Sequence, residues 1–555
     1  MKALKIGLLL DSLVSDKYIY ELALWAKDQP NISISHLLVH SRRRDSKRET
    51  IASSIFKQAL YDLASRILFR WITSVETLLL KRSGLHGLHS DHYRLFDLGK
   101  TVNGILEISV SECGGAYRCF PEDIEKIKAL DLDLLIRCDS KKPRGDILRA
   151  SRLGVICLGH GDDRIFPGGA AGFWECYEER PQTGFNIHRV TDEVDAGEVL
   201  FRGSFKTRYY FSLNQAHLCK KSYVHLQNLL HQIAATGKLP AAESTPDLSS
   251  SICFPNFPHL HQSVAYGVKV AKRILIKVIA KMLGIKERWG ISLLSGNWDQ
   301  VEYSRSTPVK LPKGRMWADP FLYLHDGKTF CFIEDVVYET NRGHITALEI
   351  TGTNVVERGI AVKEPFHLSF PFLFKYKNEL YMCPESSESR QIRIYRCTEF
   401  PLKWELHSVV MENVCAVDTL LFEREGKWWM LTSIDQSGTQ DYGSELYLFS
   451  SDSPLQTHWA PHPQNPIRID AHGGRNAGLI AEGERLFRIA QRQGFDRYGE
   501  GILVYEIKDI SESTFAEELI AEINPTFRPG LLGTHHLSTD GKTTIIDHLS
   551  YSFIF

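Results

Sequence analysis

Apolar and polar positions change their period twice along this chain. From Leu4 to Leu10 the residues are almost all apolar, the texture of a strand buried on both faces. Tyr18, Leu22 and Trp25 then recur at helical spacing, and ISISHLLVH, Ile32 to His40, reads as a second strand. This strand–helix–strand opening predicts a doubly wound α/β domain. Residues 42–94 read as a basic, mostly helical excursion. PEDIEKIKALDLDLLIRCD predicts a helix starting near Pro121 and a strand over Leu132 to Arg137, and DILRASRLGVICLGH repeats the helix-to-strand step. The alternation persists to about Gly203.

The middle of the chain is mixed. NQAHLCKKSYVHLQNLLHQIAATG predicts an amphipathic helix ending at Gly237, and AAESTPDLSSSICFPNFPHL reads as a polar, Pro-rich linker. Residues 262–288 predict a further helix with Lys269, Lys272, Arg273, Lys277, Lys281 and Lys286 on a basic face. That helix is either a brace with a solvated face or a weak peripheral membrane contact. From Trp289 onward apolar runs shorten and turns multiply. WADPFLYLHDGKTFCFIED, SFPFLFKYKNELYMCPES, AVDTLLFEREGKWWMLTS, RNAGLIAEGERLFRIAQR and GTHHLSTDGKTTIIDH each read as strand, tight turn, strand. Five such copies predict a five-bladed β-propeller. The expected division is 1–203 for the α/β domain, 204–288 for a helical and Pro-rich linker, and 289–555 for the propeller.

Bulk properties narrow the picture further. The 555 residues are too many for one core, and 43% hydrophobic and 24% charged residues are ordinary for a globular chain. A net charge of -1 argues against nucleic acid as partner. The 11 cysteines are odd in number and contain no CxxC pair, which fits reduced thiols and a cytoplasmic setting. The N-terminus lacks the apolar length of a signal peptide, and no apolar run is long enough to span a bilayer. No metal is expected.

Candidate chemistry concentrates in two places. The first is Val155 to Gly203, where GVICLGHGDDRIFPGGAAGFW is followed by TGFNIHRVTDEVDAGEVL. These two motifs, with the α/β framework before them, resemble the catalytic domain of the tetrahydrofolate-dependent formyltransferases. More narrowly, the chain resembles bacterial proteins that join such a domain to a C-terminal propeller. The propeller itself resembles the N-terminal domain of plant glucosamine inositolphosphorylceramide transferases. The resemblance implies a Rossmann-like formyltransferase domain followed by an all-β propeller. It also implies 10-formyltetrahydrofolate as formyl donor and a small-molecule amine, most readily that of a nucleotide-linked amino sugar, as acceptor.

It implies roles for residues as well. Asp195 falls on the family's catalytic aspartate and His188 on its strand histidine. In the first motif the family's Asn and His become Cys157 and Gly159, with a histidine one residue later at His160. Glycines flanking His160 could re-aim it, but a one-residue slip on a regular strand reverses the side chain. Catalysis is therefore expected of His160, Asp195 and Cys157, and donor binding of Arg137, Asp139, Gly159, Asp192 and Gly197. Acceptor binding is expected of Asp162, Asp163 and His188.

The second place is the propeller. Asp319, Asp418, Glu334, Glu385, Arg475, Asn476, His535 and His536 fall at corresponding strand ends. Of these, Asp319, Asp418, Arg475 and His535 are expected to contact a sugar. Repeated turn hydrogen bonding explains the aspartates almost as well, and carboxylates gathered at an axis also suit a glycosidase. The resulting expectation is a formyltransferase acting on an amino sugar. The alternatives are a degenerate formyltransferase-like glycan-binding protein and a propeller glycosidase.

Overall fold

The structure, a computed structural model, describes residues 3–41, 53–82, 92–113, 115–160, 170–192, 197–243 and 258–553. The chain forms two compact units, Met1–Val270 and Ala271–Phe555.

The first unit is built on a nine-stranded sheet. Its order is Glu198–Lys206, Gln182–Arg189, Val155–His160, Leu134–Arg137, Leu4–Leu10, Ile32–Ser41, Gly104–Cys113, Ala116–Cys119, Lys142–Pro143. The five strands from Val155–His160 to Gly104–Cys113 run parallel. The predicted apolar runs are its centre: Ile6, Leu8, Leu9, Leu37, Leu38, Leu134 and Leu135 are fully buried. Helix α1, Lys17–Lys27, starts where Asp16 accepts hydrogen bonds from the backbone of Tyr18 and Ile19. Leu4–Leu10 has parallel partners on both sides, one reached through α1 and the other far later in the chain. The crevice at its carboxyl end is thus a topological switch point.

The expected linker is corrected in part. Helix Phe211–Thr236 is no spacer, because Leu226, Leu229, Leu230 and Ile233 pack into the core with Leu8, Ile136 and Ile187. It ends at Gly237, whose φ of 70° is easiest for glycine. The last sheet strand also runs past Gly203, to Lys206. The Pro-rich stretch 244–257 lies outside the described residues.

The second unit is a five-bladed propeller, as the repeats predicted. Three blades are continuous in sequence, over residues 315–362, 369–412 and 472–523; the blade between the last two spans 416–461 and takes an added pair at Arg468–Ile469. The fifth is composite. Its inner strands come from the chain's end, Leu531–Gly533, Leu537–Thr539 and Thr543–Phe553, and its outer strands from Ile285–Ser295 and Thr307–Pro308. Ile285 pairs with Phe553 and the ladder continues without a break to Ser295 with Thr543. The propeller therefore begins at Ile285, four residues before the expected Trp289.

This ladder closes the ring, and Ile291 and Ile545, both with 0% exposure, pack beneath it with Trp317 and Ile333 of the first blade. Deleting methyl groups there removes apolar burial and leaves a cavity. We expect Ile545→Ala to lower stability by about 2–5 kcal/mol in urea unfolding of the full chain.

Candidate functional site

The inner strands of the propeller share a local defect. Pairing skips between Ala318 and Phe321, between Ser369 and Phe372, and between Val417 and Leu420. In each bulge the first looped-out residue has left-handed backbone: Asp319 at φ 47°, Phe370 at 47° and Asp418 at 49°. Such a conformation costs on the order of 1–3 kcal/mol in a non-glycine residue and persists only where surroundings over-determine it. Here neighbouring blades supply the constraint. Phe370 N donates to Asp319 Oδ2 at 3.2 Å, and Asn476 Nδ2 donates to the Asp418 carbonyl at 2.8 Å.

The side chains so presented form one buried polar cluster. His535 sits between two carboxylates, Nε2 3.2 Å from Asp319 Oδ1 and Nδ1 2.6 Å from Asp547 Oδ2. Asp547 Oδ1 accepts from the backbone of His535 and His536 at 2.8 and 2.9 Å. Arg475 pairs through Nε with Asp418 Oδ2 and reaches Asp418 Oδ1 at 3.2 Å and Glu385 Oε2 at 3.3 Å. Gln491 Nε2 donates to Asp418 Oδ2 at 3.0 Å. Glu334 holds His367 at 3.0 Å. Two aromatic rings complete the group: Trp289 lies 4.1 Å from the His535 ring, and Tyr498 receives the Arg475 guanidinium at 5.0 Å. Gly499, at φ 60°, lets the chain pass, since a Cβ there would stand 2.6 Å from that of His535.

These contacts drive the titrating groups apart. Burial opposes protonation of His535, but Asp547 and Asp319 outweigh it and raise its pKa from 6.5 to about 10. Burial would raise Asp319, yet the hydrogen bond from His535 and the charges of His535, His536 and Arg475 leave it at about 2. Glu334 moves upward through burial, against its bond to His367. Burial also lifts Asp418, helped by Glu385 and Asp319 and opposed by Arg475. His536 falls to about 4 by desolvation.

Although no metal was expected, Asp319, His535 and Asp547 offer ligand atoms within 4.8 Å of one another. They suit a hard or borderline divalent cation. An ion would have to displace an N–H proton of the His535 imidazolium, which faces a carboxylate on each side.

The first unit treats its expected residues differently. Along Val155–His160 side chains alternate, so Val155 and Cys157 join the core on one face and Ile156 and Leu158 that on the other. His160 shares the face of Ile156. Its Nε2 lies 3.1 Å from Ser222 Oγ of helix Phe211–Thr236, and burial lowers its pKa to about 4. The sheet thus places His160 and Cys157 on opposite faces.

Cys157 instead meets Arg137, whose Nη1 is 3.6 Å from Sγ, and burial raises the thiol pKa. Arg137 Nε donates to Asp139 Oδ1 at 3.1 Å, and Asp139 Oδ2 accepts from Tyr117 at 2.7 Å. His188 stands opposite Cys157 with Nδ1 2.8 Å from Asn186 Oδ1, and burial lowers its pKa to about 4. Gly159 and Gly197 are packing glycines, since a Cβ would come within 2.7 Å of Asn186 and 2.5 Å of His188 respectively. Asp192 accepts from Gly145 N at 2.8 Å, tying two loops. Asp162, Asp163 and Asp195 lie outside the described residues.

Comparison with known proteins bears on the propeller. Residues 307–526 match the family model described as glucosamine inositolphosphorylceramide transferase 1, N-terminal. The protein of that name from Oryza sativa subsp. japonica is 37% identical over 206 residues, which cover 36% of this chain and 27% of the relative. The chain thus matches about a quarter of the length of the curated relatives, and those from the indica subspecies and Arabidopsis thaliana carry the same name. Among solved structures, the family 117 glycoside hydrolase Zg3597 from Zobellia galactanivorans superposes with a TM-score of 0.32 at 13% identity, over 48% of this chain and 91% of that one. Glycinamide ribonucleotide transformylase 1 from Symbiobacterium toebii does so with 0.26 at 12%, over 43% and 95%. At such values neither likeness bears on function.

The expectation of formyl transfer is overturned by these matches. The relatives are named as transferases of glucosamine inositolphosphorylceramide, not of formyl groups. The 10-formyltetrahydrofolate donor, the N-formylated amino sugar and the cytoplasmic setting expected with them are not carried further.

The raised pKa of His535 sets a pH dependence. Its proton is favoured by folding, so the stabilisation is complete below pH 6.5 and is lost as pH rises towards about 10. The melting temperature of the full chain should fall over that window. His535→Gln should flatten the fall by lowering the melting temperature on the acid side, and should approach wild type near pH 10. Among the described residues matching the family model are Asp319, Asp418 and Arg475 of this cluster, and residues 307–526 are the part of the chain that family similarity defines.

Proposed function

We propose that this chain is a transferase acting on a glycan or a lipid-linked sugar, which it seats at the axial end of its propeller. One observation carries the reading. Within a single buried cluster, Asp319 is held as an anion while Glu334 is pushed towards its protonated form. Two carboxyl groups whose surroundings drive their pKa values apart can serve as charge stabiliser and general acid.

In this reading the bond from the anomeric carbon to its leaving oxygen breaks with its electron pair on oxygen. Glu334 gives that oxygen its proton, and the Asp319 anion stabilises the positive charge on the sugar. An acceptor hydroxyl then bonds to the anomeric carbon and returns its proton to Glu334. His367, whose pKa is raised by its bond to Glu334 against the cost of burial, is the adjoining proton carrier. Trp289 and Tyr498 offer ring faces to a sugar's C–H surface. The names of the plant relatives support the substrate class. The parallel strands and switch point of the first unit support reading it as a Rossmann-like domain, and this function asks nothing of it.

The test is direct. The full chain is titrated by calorimetry with a panel of sugars, nucleotide sugars and inositol phosphate glycosides, and transfer is followed by mass spectrometry. Wild type should bind at least one and form product. Asp319→Asn should bind it still while turnover falls by about 10²–10⁴-fold. Failure to bind any member would overturn the reading. Release of free sugar to water without an acceptor would identify a glycosidase instead. Binding without turnover would leave a recognition propeller, which the neutralising Asp418–Arg475 pair would then explain.

A further inference from the structure

Helix Leu260–Met282 is apolar on two opposite sides. Ser263, Tyr266 and Val270 are buried along one side, and Tyr266 binds the backbone N of Phe211 at 2.8 Å. At 100° per residue, Val264, Val268, Leu275, Ile279 and Met282 fall within an arc of about 60° on the other side. They face solvent: Val268 is 62% exposed, Leu275 58% and Met282 73%. Ile276, Val278 and Leu283 are exposed beside them. A brace would bury this row, and soluble proteins seldom leave so continuous an apolar strip in water.

Charge identifies what covers it. No Asp or Glu occurs between Leu260 and Lys286, whereas Lys272 is exposed alongside the row and Lys277 and Lys281 are exposed on other faces of the helix. Lys269 and Lys277 approach Glu179 and Asp496 at 3.8 and 3.4 Å, while Lys272 falls about 20° beyond Ile279 at the edge of the exposed arc. Helix α2, Ser53–Arg82, touches this helix where Ile72 meets Gly267 and carries its own exposed row of Leu63, Ile67, Trp71 and Leu78. An apolar strip on a helix that carries lysines and no acids, with an exposed tryptophan nearby, has the make-up of a helix lying in a lipid headgroup layer. Among the described residues no helix is long and apolar enough to cross a membrane.

We infer that this helix docks the protein on an anionic bilayer surface. Val268, Leu275, Ile279 and Met282 enter the acyl boundary, and Lys272 reaches the headgroups. The inference stands on the helix faces alone and does not rest on the sugar-directed reading.

Flotation of the full chain with phosphatidylcholine vesicles, with and without phosphatidylserine, tests it. Wild type should float with the anionic vesicles and remain largely free with the neutral ones. Lys272→Gln should weaken binding by roughly fivefold. Leu275→Ser with Ile279→Ser should abolish flotation, with near-UV circular dichroism unchanged because both sites are exposed. No binding to anionic vesicles, equal binding to both kinds, or binding untouched by either variant would overturn the proposal. So would a vesicle-free oligomer that Leu275→Ser with Ile279→Ser dissolves, since a second copy would then cover the face.

Discussion

The pairing of Ile285–Ser295 with Thr543–Phe553 is the interaction on which the second unit depends. A ring of sheets has an open seam until its ends join, and an open seam exposes unpaired backbone and the apolar faces of two blades. Here eleven consecutive residue pairs close it. The closure also determines the site. Asp547 lies on the closing strand and His535 just before it, while Asp319 belongs to the first blade. The imidazole between the two carboxylates therefore bridges the beginning and the end of the propeller, and the chemistry of the axis cannot assemble before the ring does.

That arrangement explains the electrostatics. An isolated buried aspartate would be driven towards neutrality. Asp319 remains charged because the ring brings a histidine that is itself held between two acids. The same closure leaves Glu334 with a histidine partner at the edge of the cluster, where burial still dominates. Opposite shifts in neighbouring carboxyls thus arise from position in a closed circle of blades rather than from any local motif.

Much of this was legible in the sequence. Leu4 to Leu10 and Ile32 to His40 are runs that only a sheet covered on both faces would bury, and the repeated strand–turn–strand units gave the blade number. Asp319, Asp418, Arg475 and His535 were legible as a group because they recur at the same place in each unit. Asp547, Gln491, Tyr498 and Trp289 were not. They come to the axis through strand register and ring closure, which no local pattern encodes. The separation of His160 from Cys157 followed from the alternation of a regular strand, and the motif likeness obscured it. Helix Phe211–Thr236 was misplaced as a spacer because amphipathic periodicity reports that a face is buried without reporting against which sheet.

The three left-handed bulges carry a consequence for how such a ring can change. Asp319, Phe370 and Asp418 share one backbone geometry, yet only two of them carry an acid. The bend is held by hydrogen bonds to a neighbouring blade, and at Phe370 it persists around an aromatic side chain. Backbone shape and side-chain chemistry are therefore uncoupled at this position. Three of the five blades offer such a socket, and the ring can exchange the occupant of one while the other blades keep the scaffold in register. A propeller built this way can drift from binding a ligand to reacting with it by single replacements at its axis.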